Sequence, residues 1–382
     1  MKAEELRLKV KQIIEKKAVS SKSLQERKVN IVRTQLHKKV SLYLLDDSSS
    51  MRQVLREIFK RDSDIEIVGE QGDPLLAIEE IRQLKPDVLT LDIEMPHLDG
   101  VEFLKRYGQE LSCQVITISS LSMSDGPKVM ECLEHGSVDY MQKPSFKDIP
   151  IIAPQLIEKV KTLARSTKQR YQGVSVEGRI SSLASAAQES LILMGASTGG
   201  TEALKEVLVR LPADIPPILI VQHIPPHFSK SFADRLNQLC AFEVREARDG
   251  DLVEPGVCLV APGGKQMMMV RRGGKLIVEV NDAPEVNRHK PSVDYLFASA
   301  DEFKGPKIAV ILTGMGADGA REMVELTKKG TYTIAQDEIS SVVWGMPGET
   351  VKRGGALKVV PLTEVALEIE KGLKKISLSK AS

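Results

Sequence analysis

L-I-L-M-G-A-S-T-G-G-T, from Leu191 to Thr201, runs into E-A-L-K-E-V-L-V-R-L, from Glu202 to Leu211. A short apolar run, a turn of small residues and then apolar residues at helical spacing predict strand, tight turn and helix. Ser197 stands at the bend. Its small neighbours leave the hydroxyl open to another molecule. Backbone N–H groups at the start of the helix face any negative charge that forms there. This suits a serine nucleophile. It equally suits a phosphate or dinucleotide site, so the flanking sequence has to decide.

Downstream, P-P-I-L-I-V-Q-H (Pro216 to His223) predicts a strand that ends on His223. K-I-A-V-I-L-T-G (Lys307 to Gly314) predicts a buried strand, followed by M-G-A-D-G-A with Asp318, and T-Y-T-I-A-Q-D (Thr331 to Asp337) predicts another. C-L-V-A-P-G-G-K-Q-M-M-M-V and R-R-G-G-K-L-I-V-E-V read as shorter strands around turns, with a hairpin between them. The pattern is α/β with a mainly parallel sheet. Ser197, His223 and Asp318 each follow an apolar strand, which places all three on the C-terminal edge, where such sheets bind ligands.

Serine becomes a strong nucleophile when a histidine removes its proton and a carboxylate fixes the imidazole tautomer. His227 and His289 compete with His223 as the base. Asp282, Asp294 and Asp337 compete with Asp318, for which a helix N-cap is the plainer role. A dinucleotide site calls for an acidic residue at the end of the next strand, and Gln222-His223 stand there instead. An α/β-hydrolase orders its triad serine, acid, histidine, whereas here the aspartate comes last.

A second α/β pattern lies upstream. V-S-L-Y-L-L (Val40 to Leu45) ends in Asp46-Asp47-Ser48, D-V-L-T-L-D ends on Asp92, Q-V-I-T-I-S-S ends in hydroxyls at Ser119 and Ser120, and D-Y-M-Q-K-P carries Lys143. The C-terminal edge of this sheet therefore collects three carboxylates, a hydroxyl and an ammonium. Three carboxylates at one place need a cation. Oxygen ligands with open positions suit Mg²⁺, which keeps waters and shares itself with a phosphoryl group. The lysine and the hydroxyl suit phosphoryl oxygens.

The chain has 382 residues, enough for two domains and a linker, and 42% are hydrophobic. With 53 basic and 52 acidic residues the net charge is +1, which gives no global attraction to nucleic acid. Four scattered cysteines without a C-x-x-C argue against disulfides and zinc and fit a reducing compartment. No apolar run approaches the ~20 residues of a membrane span, and no signal-peptide pattern is visible, so a cytoplasmic protein without membrane insertion is expected. Residues 1–38 read as a basic extension and 159–188 as a polar, Ser-rich linker.

Two resemblances follow from these motifs. D-D-S, L-D-I-E-M-P-H-L-D-G, S-S and K-P resemble the receiver domain of two-component response regulators, over roughly residues 39–158. The resemblance implies Asp92 as phosphoacceptor, with Asp46, Asp47 and the Glu94 carbonyl joining it around Mg²⁺. It implies Ser119 as switch hydroxyl, Tyr140 as switch aromatic and Lys143 as phosphate partner. G-A-S-T-G-G-T, V-Q-H-I-P-P-H-F, H-K-P-S-V-D-Y-L-F and L-T-G-M-G-A-D-G-A resemble the catalytic domain of chemotaxis protein-glutamate methylesterases, within residues 189–382. This implies Ser197 as nucleophile, His223 as base and Asp318 as orienting acid, with Thr198 and the Met315 N–H near the oxyanion. Ile224 and Gln266 depart from the commonest pattern of that family.

The expected fold class is α/β, two doubly wound domains with mainly parallel sheets, a flavodoxin-like receiver and then a Rossmann-like methylesterase. The expected activity is hydrolysis of glutamate methyl esters on chemoreceptors, with deamidation of receptor glutamines by the same chemistry. A histidine kinase would be the phosphodonor, and ester hydrolysis itself would need no cofactor.

Overall fold

The computed structural model describes residues 39–120, 125–145, 149–166 and 189–380. The basic extension and most of the expected linker lie outside the described residues.

In the first unit β1 (Val40–Leu45), α1 (Ser49–Phe59), β2 (Ile65–Gln71), α2 (Pro74–Leu84), β3 (Val88–Asp92), α3 (Gly100–Tyr107), β4 (Gln114–Ser119), α4 (Asp125–Glu134), β5 (Ser137–Gln142) and α5 (Ile149–Arg165) alternate. Ser48, Asp73 and Asp99 cap α1, α2 and α3 by accepting a backbone N–H each, and Pro74 opens α2. The strands run parallel in the order β2-β1-β3-β4-β5. The chain order therefore reverses between β1 and β3, where Asp46 and Asp92 emerge. Helix α5 continues to Arg165, inside the stretch read as linker.

The second unit holds β6 (Leu191–Ala196), α6 (Gly200–Leu208), β7 (Ile218–Gln222), α7 (Phe228–Leu239), β8 (Glu243–Glu246), β9 (Val257–Val260), β10 (Gln266–Arg272) and β11 (Lys275–Asn281). After these come α8 (Val293–Ala298), β12 (Lys307–Ile311), α9 (Ala320–Lys328), β13 (Tyr332–Gln336), α10 (Met346–Lys352), β14 (Lys358–Val360) and α11 (Leu362–Lys380). Its main sheet is parallel, in the order β14-β13-β12-β6-β7-β9-β8. The antiparallel hairpin β10–β11 stands apart from it. The order reverses between β6 and β12, and Ser197 and Thr313 emerge at that crevice.

The central strands are apolar on both faces because helices cover both. Leu193 of β6 is fully buried. Leu193→Ala is expected to destabilise this unit by about 2–5 kcal/mol through lost contacts and a cavity. Urea unfolding followed by Trp344, the chain's single tryptophan, measures it.

The two units pack together. Gly126 of α4 seats against Ser231 of α7, where a Cβ would collide with the Ser231 side chain. Glu134 of α4 pairs with Arg235 of α7. The Tyr140 and Phe228 rings lie 5.2 Å apart, and Thr162 of α5 lies 3.5 Å from Met315 Sδ. Val342, Val343 and Met315 share an apolar cluster with Ile152, Leu156 and Val160 of α5.

Candidate active site

Ser197 begins the turn after β6. Its N–H donates to Thr313 O at 3.0 Å, which ties the turn to the end of β12. Gly199, at φ +74°, takes the left-handed conformation and starts α6. Gly314 approaches so closely that a Cβ there would fall 2.8 Å from Ser197 Cβ. Ala196 pairs with Gln222 across β6 and β7, so Ser197 and His223 occupy the next register position on strands about 4.8 Å apart. The Gln222 amide donates to both Ser197 O (2.9 Å) and His223 O (3.2 Å) and so links the two backbones.

His223 Nε2 lies 2.8 Å from Asp318 Oδ2. His223 Nδ1 is buried and has no hydrogen-bond partner among the described residues. An imidazole that donates through Nε2 presents Nδ1 as an acceptor. Asp318 is buried and accepts from Asn287 Nδ2 (2.7 Å), Ser292 Oγ (2.8 Å), the Val293 N–H (2.7 Å) and the Asp294 N–H (3.2 Å). Burial alone would raise its carboxyl. The bonds from His223, Asn287 and Val293 outweigh it and hold the carboxyl below the usual range. Asp318 is therefore the clamped acid and not a helix cap. Gly319 takes the N-cap position of α9.

The competitors separate. Asp282 is exposed and pairs with Lys265 and Lys290. Asp337 closes a turn onto Ser340. Asp294 shares Asn287 with Asp318. His227 is exposed at the start of α7. His289 does join the site, because its ring stacks on His223 with centroids 3.6 Å apart and planes at 12°. Burial, and then the neighbouring His223, push His289 down to about 3. Thr198 is buried and its carbonyl accepts from Thr313 Oγ1 at 3.0 Å. Met315 lies beside the turn and touches α5. Ile224 is buried in the core, a swap of one apolar side chain for another.

The other sheet edge collects its residues too. Carboxylate oxygens of Asp46, Asp47 and Asp92 lie within 4.8 Å of one another. Lys143 Nζ lies 2.6 Å from Asp92 and 3.3 Å from Asp46 Oδ2, yet among the described residues that buried Asp46 oxygen has no hydrogen-bond donor in good geometry. Burial, then repulsion by Asp46, raise Asp92 to about 6, and burial raises Asp46 too. Burial opposes charge on Lys143, but the bond to Asp92 prevails and raises its pKa. The Glu94 N–H donates to Asp92 Oδ1 at 3.2 Å. Crowded acidic oxygens with an unsatisfied lone pair fit a hard divalent cation. Ser119 Oγ donates to Asp125 Oδ2 at 2.7 Å. Tyr140 is buried, and its ring faces Phe228 of the other unit.

The sequence reading missed Gln222, Asn287 and Ser292 and left His289 only as a rival base. A polar residue at a strand end (Gln222) and a polar turn before a helix (N-R-H-K-P-S) were the available signals.

Comparison with known proteins matches residues 192–369 to the CheB methylesterase family and residues 42–152 to the response regulator receiver domain. The protein-glutamate methylesterase/protein-glutamine glutaminase 1 of Albidiferax ferrireducens is 44% identical over 86% of this chain and 92% of its own. The protein-glutamate methylesterase/protein-glutamine glutaminase of Salmonella typhi is 42% identical over 90% of this chain and 99% of its own. The crystal structure of the Thermotoga maritima CheB methylesterase catalytic domain is 35% identical, covers 47% of this chain and 97% of its own, and has a TM-score of 0.46. With a receiver sheet, a methylesterase sheet and relatives that align along nearly their whole length, the chain belongs to the protein-glutamate methylesterase/protein-glutamine glutaminase family.

Proposed function

We propose that the chain is a receiver-controlled serine hydrolase that removes methyl esters from glutamates on the cytoplasmic helices of chemoreceptors. The observation that supports this reading is the buried His223–Asp318 pair: it leaves Nδ1 without a partner among the described residues, and His223 follows the strand paired with the one that Ser197 follows. Ser197 Oγ gives its proton to His223 and attacks the γ-carbonyl. Backbone N–H groups near Thr198 and Met315 hold the oxyanion. The imidazolium, paired with Asp318, protonates the departing methoxide, and methanol leaves. His223 then takes a proton from water, the hydroxide attacks the acyl-serine, and the proton returns to Ser197 Oγ. A glutamine side chain enters the same cycle and releases ammonia, so deamidation is within reach of the same residues.

Asp92 is the proposed phosphoacceptor, with a sensory histidine kinase as donor. When bound by Asp46, Asp47, Asp92 and the Glu94 carbonyl, Mg²⁺ supplies charge neutralisation for phosphoryl transfer. Lys143 pairs with the added charge, and Ser119 leaves Asp125 for a phosphoryl oxygen. In the unphosphorylated chain α5 lies along the serine edge, through Thr162 against Met315 and through the Lys159 ammonium near His289. That supports occlusion of a bulky helical substrate, relieved when the interface reorganises. No described helix is long and apolar enough to cross a membrane. A substrate on the cytoplasmic helices of receptors supports a cytoplasmic enzyme.

The test is methanol release from methylated receptor membranes. A small phosphodonor with Mg²⁺ should stimulate it, and EDTA should remove the stimulation but leave basal release. A truncation to residues 189–382 should be more active than the unphosphorylated full chain; equal activity would sink the occlusion. Absence of release from folded protein across several receptors would point to a second unit that only binds a partner.

A further inference from the structure

Gln266 opens β10 and is fully buried, so it cannot meet a substrate. Its amide is completely used. Nε2 donates to Pro284 O and to His289 O, both at 3.1 Å. Oε1 accepts the Ser292 N–H at 2.9 Å. Two donors and one acceptor on one flexible stem are what a glutamine offers. A neutral imidazole has a single donor and a single acceptor and would leave one of these three backbone groups unpaired.

The residues it binds bracket one loop, from 284 to 292. Within that loop Val286 and His289 exchange backbone hydrogen bonds around Asn287 and Arg288, at φ +54° and +66°. The turn is closed on itself and needs outside ties to hold its place. Gln266 supplies three, and the Gly264 N–H donates a fourth to Lys290 O at 3.0 Å. From this loop Asn287 and Ser292 reach Asp318, and the His289 ring covers one face of His223.

We propose that Gln266 is a positioning residue for the general base: its buried amide fixes the 284–292 loop, and through Asn287, Ser292 and His289 that loop fixes the His223–Asp318 pair. The proposal rests on the esterase reading above. A neutral His289 packed on His223 keeps water from that face and adds no second positive charge when His223 takes the serine proton. Burial, and then the neighbouring His223 ring and the Lys159 and Arg288 cations, hold His289 neutral against the opposing pull of Asp318.

Two full-length variants test it. Gln266→Met keeps the volume and removes all three bonds. Gln266→Glu keeps the acceptor and loses both donors. Each is expected to lower kcat for methanol release by about tenfold to a hundredfold, the scale of a misplaced catalytic group, with KM unchanged. Histidine-selective NMR supplies a readout independent of turnover. In the wild type His289 should stay neutral down to about pH 4, and in both variants its titration should rise towards the ordinary value of about 6.5 as the loop loosens. Unchanged kcat with unchanged His289 titration overturns the proposal. A raised KM at constant kcat also overturns it, because that is the signature of a substrate contact. If Gln266→Met does not fold, Gln266→Glu decides by the same criteria. If even the wild type releases no methanol, the esterase reading fails, and the His289 titration still decides whether Gln266 holds the loop.

Discussion

Ser197→Ala is expected to lower methanol release by about 10⁴-fold or more, to the level that binding and oxyanion contacts alone sustain. In the proposed mechanism the hydroxyl oxygen is the atom that becomes bonded to the acyl group, and neither His223 nor Asp318 can replace it. Removing one oxygen from a turn held by backbone bonds to Thr313 and Gly200 leaves the fold in place, so the melting temperature should stay near that of the wild type. Receptor binding should survive too. Stoichiometric labelling of Ser197 by a fluorophosphonate, absent from the variant, gives a direct readout of nucleophilicity. Residual release within tenfold of the wild type would remove Ser197 from the chemistry.

Asp318→Asn is expected to cost about 10⁴-fold in kcat, for a reason the geometry spells out. Every group around this carboxylate is a donor: His223, Asn287, Ser292 and the N–H groups of Val293 and Asp294. A carboxylate accepts them all. An asparagine accepts through one oxygen and must turn its amide N–H₂ towards another donor. Turned to His223, it donates to Nε2 and drives the ring proton onto Nδ1. His223 then has no lone pair for the Ser197 proton. Turned the other way, it opposes the donors that meet Oδ1, namely the Asn287 amide, the Ser292 hydroxyl and the Asp294 N–H, and the unmet pairing should cost about 1–3 kcal/mol in stability. Methanol release and thermal unfolding measured on one preparation separate the two consequences. Loss of activity with the fold intact supports the tautomer argument. Wild-type turnover would exclude Asp318 as the orienting acid.

The parts legible in the sequence were those with a period. Apolar runs gave β1, β3, β4, β6, β7, β12 and β13, and the polar residue ending each run gave Asp46, Asp92, Ser119, Ser197 and His223. Asp318 lies several residues past β12, and only its place in a Gly-rich turn made it visible. The order of strands was less legible. β9 inserts between β7 and β8, although β8 precedes it in the chain. The edge strand β14 is only three residues long and largely exposed, too short to show a period. The shell around the acid was the least legible. Asn287, His289 and Ser292 lie in a turn without periodicity, and what they touch depends on where β10 and α9 bring Gln266 and Asp318. The rival histidine was visible, but its partnership with His223 is a property of two rings stacked across a fold.

The place of β6 in its sheet bears on how the protein is made. This strand leaves the ribosome first among those of its unit, yet it lies in the middle, between β7 and β12, with Ile192 opposite both Ile218 and Ile308. One of its two neighbours is therefore synthesised only after most of the unit. The receiver sheet can close while the chain is still growing, whereas the hydrolase sheet has to wait, with apolar edges of β6 and β7 open to solvent and to chaperones. No nascent chain from which Asp318 has yet to emerge holds Ser197, His223 and Asp318 together. Under the proposed mechanism a ribosome-bound chain would be inert towards esters until Asp318 has emerged, by which time the receiver that is proposed to restrain it can already have folded upstream.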